Sequence, residues 1–266
     1  MARRRLIFTL LMQDGIYMLS RNFSLQAVGD VDWIRSHYNF DAIAFSIDEL
    51  IVLNVERGPK NTARFAENLA KLNQNCFMPV TSGGGIRTME DATILLRAGS
   101  DKLIVNSMIF ENPGLTRKLV RNFGSQCIVA SIDYKKNRSG GTEVFTKDGF
   151  SAVNMDVDGA VALAEELGCG EIYLTSMDRD GTGQGYDLET IQKVCALSRV
   201  PVIASGGAGK YEHFAEGVMN AKAEAVSTAN LFNFIEDGLT EARQCMQARG
   251  TEMAFWERSL DGCQTA

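Results

Sequence analysis

Two glycine clusters stand where a backbone could hold an anion. Ser82-Gly83-Gly84-Gly85 and Ala204-Ser205-Gly206-Gly207 each follow a β-rich run and precede a helical stretch. A loop of that kind turns bare N–H groups outward, with no side chain between them and an oxyanion. A companion strand end lies beyond each cluster, Asn106-Ser107 after the first and Ala229-Asn230 after the second. A single cluster would read as a tight turn. The duplication favours phosphate, so Gly84, Gly85, Asn106, Ser107, Gly206, Gly207, Ala229 and Asn230 are expected to bind two phosphate groups. A third stretch, 176–186, ends a strand in a polar, glycine-rich loop suited to a substrate-binding rim, and its Asp180 and Gly181 join the same set. Asp178 and Arg179 in that loop could equally form a structural ion pair. Asp133 ends the run CIVASID. An acid at a strand end suits proton transfer, although composition alone leaves it level with a solvated carboxylate.

The elements that position these residues alternate from end to end. Strand candidates are 5–12, 41–54, 77–82, 101–106, 127–133, 170–176, 200–205 and 223–228, and the second begins in a helix-like approach. Helical stretches fall between them at 61–74, 89–98, 113–123, 158–167, 187–197 and 210–220. Thr88-Met89-Glu90-Asp91 carries a hydroxyl cap and first-turn carboxylates, which satisfy the free N–H groups of a helix start. Eight strands alternating with helices imply a parallel sheet, and eight such units close as an α/β barrel, the (β/α)8 TIM fold. An internal repeat supports that closure. Gly84 and Gly206, Glu49 and Glu171, and Asp101 and Ala223 each lie 122 positions apart. Three motifs at one offset point to a duplicated half-barrel. The chain, 1–266, reads as one domain, with its last ~15 residues a peripheral extension.

Composition narrows the partners. A formal net charge of −6 lacks the clustered basic face that nucleic acid requires. No apolar run approaches a membrane span. The opening MARRRLIFTLLM is too short, and lacks the cleavage site, for a signal peptide; the expected location is the cytoplasm. The six cysteines have no CxxC spacing, and Cys127 and Cys195 sit in apolar stretches as reduced core thiols would. No metal site or cofactor is expected, because His, Cys and carboxylates do not cluster at ligand spacing.

The segments SGGGIRTMEDA, NFGSQCIVASIDYK, EIYLTSMDRDGTGQGYD and VPVIASGGAGKYEHF resemble, in order and spacing, those of the HisF family, the cyclase subunit of imidazole glycerol phosphate synthase. The resemblance covers roughly residues 1–250 and implies the same barrel fold. It implies a barrel that takes ammonia from a separate class I, HisH-like glutaminase and uses it at a bisphosphate substrate. Separate is also what the composition demands, since neither His37 nor His213 sits in the context of a glutaminase triad; His213 reads as part of a solvated helix face. By the same resemblance, Arg5, Glu49, Lys102 and Glu171 match a ring of charged residues through which ammonia enters the barrel bottom. Asp133 matches one of two catalytic aspartates. The other position, on the first strand, is Leu11. Asp14 matches a different acid, a basic loop position is Leu19, and a second-strand acid is Asn54. Loss of a general acid or base typically costs about 10²–10⁴-fold. The expected function is therefore a HisF-like paralogue that docks a glutaminase and conducts ammonia. A third, sugar-amidating protein would use that ammonia to make an acetamidino sugar for O-antigen or other surface polysaccharide. Set beside this are an active cyclase of histidine biosynthesis, a pure docking scaffold and an unrelated phosphosugar isomerase.

Overall fold

A computed structural model describes residues 3–38, 43, 45–74 and 76–254. In chain order its strands are β1 (Arg5–Gln13), β2 (Ile16–Arg21), β3 (Ser24–Gly29), β4 (Glu49–Asn54), β5 (Val80–Gly83), β6 (Lys102–Val105), β7 (Ile128–Lys136), β8 (Thr142–Thr146), β9 (Ser151–Ala152), β10 (Glu171–Ser176), β11 (Val202–Ser205) and β12 (Ala225–Thr228). Eight of them, β1, β4, β5, β6, β7, β10, β11 and β12, pair in parallel. β1 lies between β12 and β4, and β7 pairs with β10, so the set closes into a (β/α)8 barrel. The 122-residue repeat has structural counterparts. β4 and β10, β5 and β11, and the helices Met89–Arg97 and Tyr211–Met219 all recur at that offset.

The second strand is shorter than the expected 41–54. It begins at Glu49, and residues 45–48 turn into it; 41, 42 and 44 lie outside the described residues, as does the C-terminal extension from 255. The expected helix start at Thr88 forms a full capping box: Thr88 Oγ1 accepts from the Asp91 amide at 3.0 Å, and Asp91 Oδ2 accepts from the Thr88 amide at 2.9 Å.

Two hairpins were not legible as strands. β1 runs through Asp14-Gly15 into β2, and β2 through Asn22-Phe23 into β3. All four turn residues have positive φ (53°, 79°, 49° and 63°), as two-residue hairpin turns demand. The second hairpin, β8–β9, leaves β7 on the same side of the barrel. Both rise from the C-terminal ends of barrel strands, where this fold carries its binding loops.

Side chains alternate along each barrel strand, so every second residue faces the axis. From bottom to top, β1 contributes Arg5, Ile7, Thr9 and Leu11, and β10 contributes Glu171, Tyr173 and Thr175. Ile7, Ile51, Ile104, Val129, Tyr173, Ile203 and Ala225 form a fully enclosed interior cluster, separate from the larger core between sheet and helices. The barrel is therefore a filled stack of layers with charge at one end and a cavity at the other.

Candidate functional site

At the bottom, Arg5, Glu49, Lys102 and Glu171 come together as a closed ring. Arg5 Nη1 meets Glu49 Oε2 at 2.9 Å, and Lys102 Nζ meets Glu49 Oε2 at 2.9 Å and Glu171 Oε2 at 3.0 Å. Arg5 Nη2 closes the circuit on Glu171 Oε1. Two cations and two anions leave no net charge, which is what makes so buried a cluster tolerable. Burial pulls the Arg5 guanidinium down, but Glu171 and Glu49 outweigh it and hold the group above its ordinary value. Thr81, which sequence reasoning missed, donates its hydroxyl to Glu49 Oε1 at 2.5 Å. Its inward position at the start of β5 is the signal that could have found it.

At the top lies a cavity of about 880 Å³. Asp133 projects into it from β7 and accepts from Asn106 Nδ2 at 3.0 Å and more weakly from Ser131 Oγ at 3.5 Å. Its side chain opens onto the cavity but is closely surrounded by protein, so loss of water is the largest influence on it. That burial, reinforced by Asp180 and Asp148, pushes its pKa up to about 7. A carboxyl poised there can hold or release a proton at neutral pH. Opposite it the wall is apolar. Leu11, 8% exposed, and Leu53 pair across β1 and β4 and both line the cavity. Asn54, at the end of β4, is buried; its Oδ1 accepts from the Glu56 amide at 2.9 Å, and its Nδ2 has no acceptor. Asp14 does not replace the missing acid. It sits half-exposed in the hairpin turn, paired with Arg64.

The glycine loops adopt matching conformations. Gly84 and Gly85 have φ of 93° and 99°, and Gly206 and Gly207 have 88° and 108°. A Cβ on Gly84 would fall 2.2 Å from the Asn54 carbonyl, and one on Gly206 would fall 2.5 Å from the Ser176 carbonyl. These two glycines are thus required by backbone approach as well as by any ligand. The halves differ in what they open onto. Gly84, Gly85, Asn106, Ser107 and Ala229 line the cavity, whose wall does not extend to Gly206, Gly207, Gly181 or Asn230. The loop after β10 folds over that second cluster, with the Gly185 amide donating to the Gly207 carbonyl at 2.8 Å. Asn230 Oδ1 accepts from the amides of Phe232 and Asn233. Asp180 is turned onto the first hairpin, where its Oδ2 accepts from Ser20 Oγ at 2.5 Å and the Phe23 amide at 3.0 Å. Its burial raises its pKa.

Three smaller readings can be placed. Asp178 is bonded to the Lys136 amide at 2.8 Å, not paired with Arg179. His213 is half-buried against the glycine loops, its Nδ1 bonded to the Gly209 amide at 3.2 Å, so it does not lie on a solvated face. Cys127 and Cys195 are reduced and half-buried, packed against the core rim. Among the described residues no helix is long and apolar enough to cross a membrane, and no three His, Cys, Asp or Glu gather as a metal site.

A family model described as "Histidine biosynthesis protein" matches residues 37–236. The chain is 39% identical over 257 residues to a Parasynechococcus marenigrum protein provisionally named imidazole glycerol phosphate synthase subunit hisF2, covering 96% of this chain and 95% of that one. It is 41% identical over 240 residues to the imidazole glycerol phosphate synthase subunit HisF of Pyrobaculum aerophilum, covering 90% and 92%. With the HisF of Clostridium botulinum it shares 38% over 252 residues, covering 94% and 98%. Identity of this order along nearly the whole of a closed barrel makes the chain a member of the HisF family, the cyclase subunits of imidazole glycerol phosphate synthase.

Proposed function

We propose that this chain is the ammonia-accepting subunit of a glutamine amidotransferase complex. It docks a separate class I glutaminase at the bottom of the barrel and conducts ammonia to the top. There a third protein uses it to convert an N-acetyl sugar of a surface polysaccharide to an acetamidino sugar. One observation carries the reading: the charged ring at the bottom is complete, while at the top Leu11 stands where the family's first-strand acid is expected. The relatives are named as subunits of a synthase, which fits a chain that has no glutaminase chemistry of its own. Phe77, 81% exposed and three residues before β5, offers an apolar surface at the N-terminal end of the barrel strands.

A cyclase of histidine biosynthesis is the second reading, and Asp133 favours it, since its pKa near 7 suits the retained half of an acid–base pair. The two separate in one assay. With ammonium and the family's bisphosphate substrate, imidazole formation should fall about 10²–10⁴-fold below that of an ordinary cyclase, and Leu11→Asp should recover part of it. Turnover at the ordinary rate would establish the cyclase and sink the paralogue.

A further inference from the structure

At the floor of the cavity, on the side nearer the ring, sits a buried tyrosine to which no step so far gives a role. Tyr173 lies on β10 two residues above Glu171 of the ring and two below Thr175 of the cavity wall. Its ring is packed among Ile7, Ile51, Ile104, Val129, Ile203 and Ala225. Branched aliphatic chains ordinarily fill a barrel at this height. A phenol there carries its hydroxyl up into the next layer, among three others. Ser205 Oγ donates to it at 2.8 Å, Thr9 Oγ1 lies at 3.3 Å and Ser227 Oγ at 3.4 Å. The last two separations are long for O–H···O bonds, so among the described residues the phenol proton makes at most a weak bond, to Thr9 Oγ1.

We propose that Tyr173, with Thr9, Ser205 and Ser227, forms a hydrogen-bonding station for ammonia midway along the barrel axis. The inference rests on the conduit reading above and adds to it the group that holds the molecule in transit. The phenol O–H donates to the nitrogen lone pair, and ammonia N–H groups donate to the Thr9 and Ser227 oxygens. No bond is made or broken. Burial holds the Tyr173 phenol above its ordinary value, so it keeps its proton and ammonia crosses as a neutral molecule. Ammonia is also a better acceptor than water, which gives the station a preference for its cargo. The aromatic ring fills the apolar layer beneath and separates cavity water from the charged ring.

The test uses the full chain assembled with its glutaminase and acceptor enzyme. Glutamine labelled with heavy nitrogen in its amide is supplied beside an equal concentration of unlabelled ammonium, and the isotope ratio of the product is read by mass spectrometry. The parent should carry mainly glutamine nitrogen. Tyr173→Phe should lower the ratio of glutamine to bulk nitrogen about three- to tenfold, the worth of one hydrogen bond. Ser205→Ala should move it in the same direction and decides the matter if Tyr173→Phe does not fold. A purely structural tyrosine would lower turnover without moving the ratio. Parental ratios in both folded variants would overturn the station and leave the conduit standing. A parent that takes bulk nitrogen as readily as glutamine nitrogen would overturn the conduit, and the station with it.

Discussion

Asp133 is costly to keep where it is. A carboxyl held near 7 in the folded state and near 4 in the unfolded chain binds its proton more tightly when folded. Folding is then favoured by this group at low pH and loses that advantage as pH rises from about 4 through about 7, by at most about 1.4 kcal/mol per pH unit. Asp133→Asn keeps an acceptor for Asn106 and removes the titration. It should be more stable than the parent at pH 8, by on the order of 2 kcal/mol, and no more stable at pH 4. Urea unfolding at the two pH values checks this, and equal differences at both would show that Asp133 is not held protonated. Its position at the end of β7 was legible in the run CIVASID. Its environment was not, because Asn106, Asp148 and Asp180 reach it from three separate loops that only the closed barrel brings together. Tyr173 and Thr81 escaped sequence reading for the same reason. Nothing local marks a tyrosine or threonine as facing three hydroxyls or a carboxylate across a barrel.

Among the elements, the barrel strands were the readable ones, because burial on both faces leaves continuous apolar runs and the 122-residue repeat states each of several motifs twice. The hairpins over the mouth were harder. Asp14-Gly15 announces its turn, but Asn22-Phe23 places an aromatic residue at a φ of 63°, which no turn preference predicts. That turn is held from outside. The Phe23 carbonyl accepts from Arg57 at 2.6 Å and its amide donates to Asp180, so tertiary contacts impose the conformation. The glycine loops allow a graded test of local backbone need. Gly206→Ala forces a left-handed φ on alanine and drives its Cβ into the Ser176 carbonyl, so it should cost at least about 2 kcal/mol. Gly58, at φ 81° with nothing within 4 Å, carries only the first penalty, and Gly58→Ala should cost about 1 kcal/mol. Equal costs in urea unfolding would mean that the second loop gives way freely, and that its glycines serve a ligand more than the fold.

Over the whole molecule, the ring is where the duplication becomes unequal. Arg5, Glu49 and Lys102 come from the first half and only Glu171 from the second. The counterpart of Lys102 on β12 is Ala225, which packs in the interior and carries no charge, while Glu224 matches Asp101: each accepts from the amide opening the neighbouring strand, Val202 at 3.0 Å and Val80 at 2.8 Å. The ring is therefore a tie between halves as well as a candidate entrance, and the two roles call for different measurements. Lys102→Ala leaves Glu49 and Glu171, both nearly enclosed, sharing one guanidinium. Breaking a buried pair from one side strands a charge, so stability should fall by roughly 3 kcal/mol. Glu171→Gln added to it removes the surplus anion and should recover part of that loss, which a double-mutant cycle in urea would register as a coupling of about 1–3 kcal/mol. The entrance makes a second demand on the same variant. In the assembled complex, Lys102→Ala should alter glutamine-dependent transfer to the acceptor while the rate supported by added ammonium moves much less, since ammonium from solution can enter at the top. If the coupling is present and both rates move together, the ring holds the halves of the barrel in register and ammonia takes another path.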